Sequence, residues 1–161
     1  MTTGSPPRAV FDCNVLIQAV SNSLGPAGQC LRLVEQSRVE LFVSRAVLRE
    51  LRAVLEYPTV RQKLPQLDAQ RIEAFIQRLV YRATMVRDVR HIFTYPRAPQ
   101  DEPYIDLALA AHADYLVSRD RDLLDLMTDH SLTGKEFRQR SPGLSIVTPV
   151  GFLERVESPR E

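Results

Sequence analysis

Cysteine, glycine and long apolar runs are all scarce in this 161-residue chain, and each shortage closes off a class of protein. The two cysteines, Cys13 and Cys30, match no zinc-ligand or redox spacing and read as buried free thiols in a reducing cytoplasm. The six glycines form no phosphate-cradling G-x-x-x-x-G-K-[ST] run, no G-x-G-x-x-G and no G-x-S-x-G. Those absences argue against a dinucleotide-binding domain and against an α/β-hydrolase. The longest unbroken apolar stretch, Leu107 to Ala111, is far too short to span a bilayer, so no membrane association is expected. Net charge is only +1, and bulk electrostatics therefore announces no nucleic-acid binder. Just two of the twenty-one basic side chains, Lys63 and Lys135, are lysines. Arginine is the better bidentate phosphate ligand, but a GC-rich genome produces the same bias.

What the chain does have is enough material for one domain with a real core, at ordinary hydrophobic and charged content of 44% and 25%. Residues 1–7, polar and carrying two prolines, are expected to be a disordered leader, and they lack the apolar segment of a secretory signal. From residue 8 to 157 a single α/β domain is expected. Short apolar runs at Arg8 to Asp12, Val39 to Ser44, Ala83 to Val86, Tyr115 to Ser118 and Leu144 to Val147 read as strands. Between them lie helical periodicities, among them Arg45 to Tyr57, stopped by Pro58, and a helix capped by Asp68 with Ile72, Phe75, Ile76, Leu79 and Val80 on one face. Residues 94–99 read as a loop, and so does the polar stretch from about Thr128 to Gly143. Such alternation implies a parallel sheet with helices on both faces, and ligands of such sheets bind beyond the carboxyl ends of the strands.

That rule gathers four separated acids into one candidate site. Asp12 closes the first strand, Glu50 lies in the helix after the second, Asp101 opens the apolar helix through Tyr104, and Asp120 follows Tyr115 to Ser118. Converging carboxylates repel one another unless a cation lies between them, so a hard divalent metal is expected. Glu50 stands about 120° from the solvated stripe Arg45, Arg49, Arg52 and Glu56. It is therefore expected on the apolar face, where an uncompensated charge is costly. Asp101 is a good helix N-cap, and Asp122 is expected to cap the helix through Leu123 and Leu124. Asn14, Ser118 and Asp106 are supporting polar candidates. Asp106 is either a second acid behind the site or an exposed position. The three histidines form no constellation.

The pattern resembles a PIN-domain nuclease of the VapC-like type. The matching pieces are Phe11-Asp12-Cys13-Asn14-Val15-Leu16, Val43-Ser44 through Leu48-Arg49-Glu50-Leu51, and Asp101 through Ala110. The block Asp114 to Leu124, with Ser118-Arg119-Asp120-Arg121-Asp122, is the most specific of them, and the ending Ile146 to Pro149 with Phe152-Leu153-Glu154 also fits. The resemblance implies a three-layer α/β/α sandwich, PIN-like and Rossmann-like, around a parallel sheet of four to five strands. It implies Mg²⁺- or Mn²⁺-dependent ribonuclease activity, often as the toxin of a toxin–antitoxin pair, with RNA, a cognate antitoxin and a second copy of the chain as partners. Asp12, Glu50, Asp101 and Asp120 fall on the family's acidic positions, Asn14 and Ser118 on its supporting ones. The long polar loop and the near-neutral charge depart from the pattern.

On this reading Asp12, Asp101 and Asp120 hold one or two ions, and Glu50 holds a second ion or positions the attacking water. Arg119, Arg121, Lys135 and Arg138 are the expected backbone contacts. The alternative is a catalytically inactive domain that kept the fold and binds RNA or protein, against which the intact acid set argues. A phosphatase or receiver-like domain using Asp12 as nucleophile is disfavoured, because Asp12-Cys13-Asn14 lacks the second Asp two residues on.

Overall fold

The computed structural model describes residues 4–157, so the expected leader 1–7 lies partly outside the described residues. Five strands form one all-parallel sheet: β1 (Arg8–Phe11), β2 (Glu40–Val43), β3 (Thr84–Met85), β4 (Tyr115–Val117) and β5 (Ser145–Val147). Their order is β3-β2-β1-β4-β5, so the chain winds outward from β1 in one direction, then returns to its other side. The reversal falls between β1 and β4, and that is where an open parallel sheet leaves a crevice at its carboxyl edge. Helices cover both faces, giving the three-layer α/β/α architecture expected from the alternation.

Register aligns the strand ends that matter. Phe11 pairs with Val117 and Val117 with Val147. The next residues continue the ladder, Asp12 N–H donating to Val117 O (3.1 Å) and Ser118 N–H to Val147 O (2.9 Å). Strands β1, β2 and β4 are apolar at nearly every position, as expected of strands covered on both faces. Edge-to-face rings fix one flank, where Phe152 of α9 (Pro149–Glu157) meets Phe11 at 5.9 Å and Tyr115 at 5.2 Å.

Helix α1 (Cys13–Ser21) starts directly after β1, and α2 (Pro26–Glu35) has proline in its first turn. Helix α3 (Arg45–Leu55) ends before Pro58, as the sequence predicts. Pro58 then also opens a further short helix, α4 (Pro58–Lys63), because the residue that cannot continue one helix is well suited to begin another. Helix α5 (Ala69–Arg82) is capped by Asp68 and buries Ile72, Phe75, Ile76 and Leu79, while Val80 is exposed. Helix α6 (Glu102–Ala110) and the short α7 (Arg121–Leu124) flank the crevice.

The expected loop 128–143 is not one: it contains α8 (Leu132–Arg140), capped by Ser131, whose hydroxyl accepts from Gly134 N–H at 3.1 Å. The sequence hides this helix because it buries only Gly134 and Phe137, too little for an apolar stripe. Phe137 anchors it by packing edge-on against Phe93 at 5.7 Å. Gly134 is needed for close approach, since a Cβ there would stand 2.8 Å from the carbonyl oxygen of Asp129.

Candidate active site

The carboxyl ends of β1 and β4 bring the acids together through one chain of hydrogen bonds. Asp12 is buried and caps α1, with Oδ1 accepting from Val15 N–H at 3.0 Å. Its other oxygen accepts from the hydroxyl of Ser118, which is fully buried just past β4. The Ser118 oxygen in turn accepts from Asp120 N–H at 2.9 Å, and Asp120 Oδ1 accepts from Asp122 N–H at 2.9 Å. Asp120, not Asp122, is thus the N-cap of α7: two residues after Ser118, it is the one whose carboxylate returns to the exposed amides of the first turn.

Asp101 reaches the same place from the start of α6. It sits at the capping position without a side-chain capping bond, and only 7% of its surface is exposed. Its Oδ2 is buried with no hydrogen-bond partner among the described residues. Asp101, Asp120 and Asp122 offer oxygens that all lie within 4.8 Å of one another. Acceptor facing acceptor in a buried setting requires a shared proton or a cation.

The electrostatics record that strain. Burial pushes the Asp101 carboxyl up to about 8, helped by the contact with Asp120 and by the charges of Asp120, Asp12 and Asp122. Burial pushes Asp12 up to about 6; the bonds from Ser118 and Val15 oppose the rise, and the charges of Asp120 and Glu50 add to it. Cys13 is driven up to about 12, by burial first and then by Glu50 and Asp12, so it is no thiolate at neutral pH.

Glu50 belongs to this field but not to the apolar face. The stripe that α3 buries is Val47, Leu51 and Leu55, narrower than the sequence suggests, and it leaves Ala46 and Glu50 exposed. The Glu50 carboxylate is held at the rim of the crevice by the hydroxyl of Tyr104, a buried residue of α6. Asn14 is exposed in the first turn of α1, and among the described residues it makes no hydrogen bond to Asp12, whose oxygens accept from Val15 and Ser118.

Asp106 is buried, yet it serves a different task. Its Oδ1 accepts from Ile92 N–H and Phe93 N–H, each at 2.9 Å, and its Oδ2 meets His91 Nδ1 at 2.9 Å. It pins the segment that crosses from β3 to α6. Changing Asp106→Ala strands the buried Phe93 N–H and is expected to cost about 2–4 kcal/mol in urea unfolding. Divalent-cation affinity should stay unchanged. Weaker cation binding at full stability would instead assign Asp106 to the acid cluster.

The four basic candidates are dispersed. Arg119 and Arg121 are exposed beside the cluster, Arg119 reaching Gln18 at 3.4 Å. Lys135 is exposed on α8. Arg138 donates to the carbonyls of Leu126 and Asp129, both at 2.7 Å, and so fastens α8 to the chain before it. Two residues unmarked by the sequence complete the surroundings: Tyr104, and Arg97, which donates to Asp122 (2.7 Å) and Asp125 (2.8 Å). An arginine in a loop and a tyrosine in an apolar helix carry no periodic signal.

With this geometry in hand, comparison with known proteins is specific. A family model described as PIN domain matches residues 8–122, a span that contains Asp12, Glu50, Asp101, Asp120 and Asp122. The chain is also 24% identical over 150 residues to the uncharacterized protein MJ1680 of Methanocaldococcus jannaschii, across 93% of this chain and 92% of that protein. No helix among the described residues is long and apolar enough to cross a membrane.

Proposed function

The chain belongs to the PIN-domain family of nucleases, and on that premise we propose that it is a Mg²⁺- or Mn²⁺-dependent endoribonuclease. The observation that carries the reading is the buried, donorless oxygen of Asp101 set against Asp120 and Asp122. PIN nucleases generally use divalent metals, and this all-oxygen donor set suits a hard cation. Asp12, Asp101 and Asp120 would hold the ion, with Glu50 holding a second ion or orienting water at the rim. Asp122 joins the set as a further carboxylate. A bound divalent ion makes a water nucleophile available near neutral pH and offsets the charge that develops on the scissile phosphate.

The rest of the work falls to the chain. Ser118 and the Val15 amide hold Asp12 in one orientation, and Asp120 is fixed by its cap on α7. Tyr104 keeps Glu50 turned toward the crevice. The expected products carry a 5′-phosphate and a 3′-hydroxyl. PIN-domain proteins commonly bind RNA and sometimes antitoxins. We assign this chain to the toxin side of such a cytoplasmic pair, as a homodimer restrained by a co-encoded antitoxin.

Incubating labelled single-stranded RNA with the protein and Mn²⁺ should yield discrete fragments, and EDTA should stop their formation. Folded protein that cuts none of several RNAs under these conditions would overturn the reading in favour of a binding-only domain.

A further inference from the structure

A cavity of about 820 Å³ opens beside the acid cluster, at the carboxyl edge of the sheet on its β3 side. Its walls are the start of α3, the segment after β3 and the start of α6. This volume lies within the ~300–1,000 Å³ typical of ligand sites. None of the cluster acids lines the cavity, but two of its wall segments run directly into them. Arg49, on its wall, precedes Glu50, and Glu102, also on its wall, follows Asp101.

Three arginines line it: Arg45 and Arg49 one turn apart on α3, and Arg87 after β3. All three are exposed, and none makes an ion pair or side-chain hydrogen bond among the described residues. Five other arginines, Arg8, Arg52, Arg78, Arg97 and Arg140, each face a carboxylate. The acids of the cavity wall are largely committed as well. Asp106 is saturated by residues 91–93, and Glu102 accepts from Tyr95 N–H at 2.7 Å. Only Asp88 is left exposed without a partner among the described residues. The cavity therefore carries three uncommitted guanidinium groups against one uncommitted carboxylate. Guanidinium is the side chain that matches phosphate in a bidentate fashion. Apolar surface sits among them, with Met85 38% exposed and Val86 and Val89 beside it.

We propose that this cavity is the track along which single-stranded RNA reaches the acid cluster, its phosphates held by Arg45, Arg49 and Arg87. The inference rests on the ribonuclease reading for its ligand, and it assigns the strand to arginines other than Arg119, Arg121 and Arg138. Sequence spacing could not find it, because two arginines on a solvated helix stripe look like any other surface charge.

The test is binding rather than turnover. In the Asp12→Asn background, fluorescence anisotropy with a short labelled single-stranded RNA is recorded over a potassium chloride series with Mg²⁺ present. Replacing Arg45, Arg49 and Arg87 together by Ala should weaken binding by roughly 30- to 100-fold at low salt and lower the log–log salt slope by about 2, near ~0.7 per lost contact. Replacing Arg32, Arg38 and Arg155, all exposed and away from the cavity, should change the slope little. Equal losses in both variants, or none in the first, would overturn the track. Because the readout is affinity, a protein that binds through the cavity but never cleaves leaves the track standing and removes the nuclease reading. Metal-dependent cleavage with an unchanged slope does the reverse.

Discussion

Asp12→Asn should lower RNA cleavage by about 10³-fold or more, roughly 4 kcal/mol of transition-state stabilisation, without loss of fold. The substitution is nearly isosteric, and the amide oxygen still accepts from Val15 N–H. The new amide group can donate to the Ser118 hydroxyl, whose second lone pair is free beside the one that accepts from Asp120 N–H. What disappears is one negative charge from a buried group whose carboxyl already sits at about 6. That charge is among those that raise Asp101, so its removal relaxes the metal-free cluster. In EDTA the variant should therefore melt at the same temperature as the parent or slightly above it. A purely structural Asp12 predicts the opposite pair of results, with activity retained in proportion to folded protein and a lower melting temperature. Full cleavage by the folded variant would remove Asp12 from the site.

The sheet and the buried acids were legible in the sequence for the same reason. Apolar runs of three or four residues ending in a single Asp specify both a covered strand and the polar group that emerges at its end. Asp12 follows directly, the half-buried Asp120 stands two residues past the Ser118 that ends its run, and Asp101 follows from an N-terminal position on a helix apolar almost all round. Residues whose place depends on a tertiary partner were not legible. Glu50 was expected among apolar neighbours because helical angles locate a face but not its width. The edge of the α3 stripe is set by how α1, α5 and α6 pack against it. Helix α8 has one aromatic anchor in nine residues, below what periodicity detects. Asp106 could be read as either buried or exposed, and its fate was decided by three partners more than ten residues away in the chain. The division of labour between Asp120 and Asp122 turned on which carboxylate bends back to the first turn of a four-residue helix, a matter of backbone geometry alone.

The metal-free protein should lose stability as pH rises from about 4 to about 8, contrary to the usual behaviour of buried, paired carboxylates. In the unfolded chain Asp101 ionises near its ordinary 3.8, whereas in the fold burial and its acidic neighbours hold the proton up to about 8. Across that window the native state binds more protons than the unfolded state, so the unfolding free energy falls with increasing pH. Asp12 adds to the slope over the lower part of the window, up to about 6. The stabilising contribution is thus fully present below about 4 and gone once pH passes the folded value. A divalent cation reverses the sign of the argument, because it binds the ionised carboxylates and competes with their protons. Free Mg²⁺ or Mn²⁺ at ~100 times its dissociation constant stabilises by about 2.7 kcal/mol, or roughly 5–10 °C for a chain of this size. That gain should be largest near pH 8 and shrink toward pH 5. Melting curves in EDTA and in MgCl₂ over this range check both slopes at once, and Asp101→Asn should flatten each. A metal-free melting temperature that climbs between pH 5 and pH 8, and that Mg²⁺ leaves unmoved, would mean that the cluster is satisfied by protein donors and is no cation site.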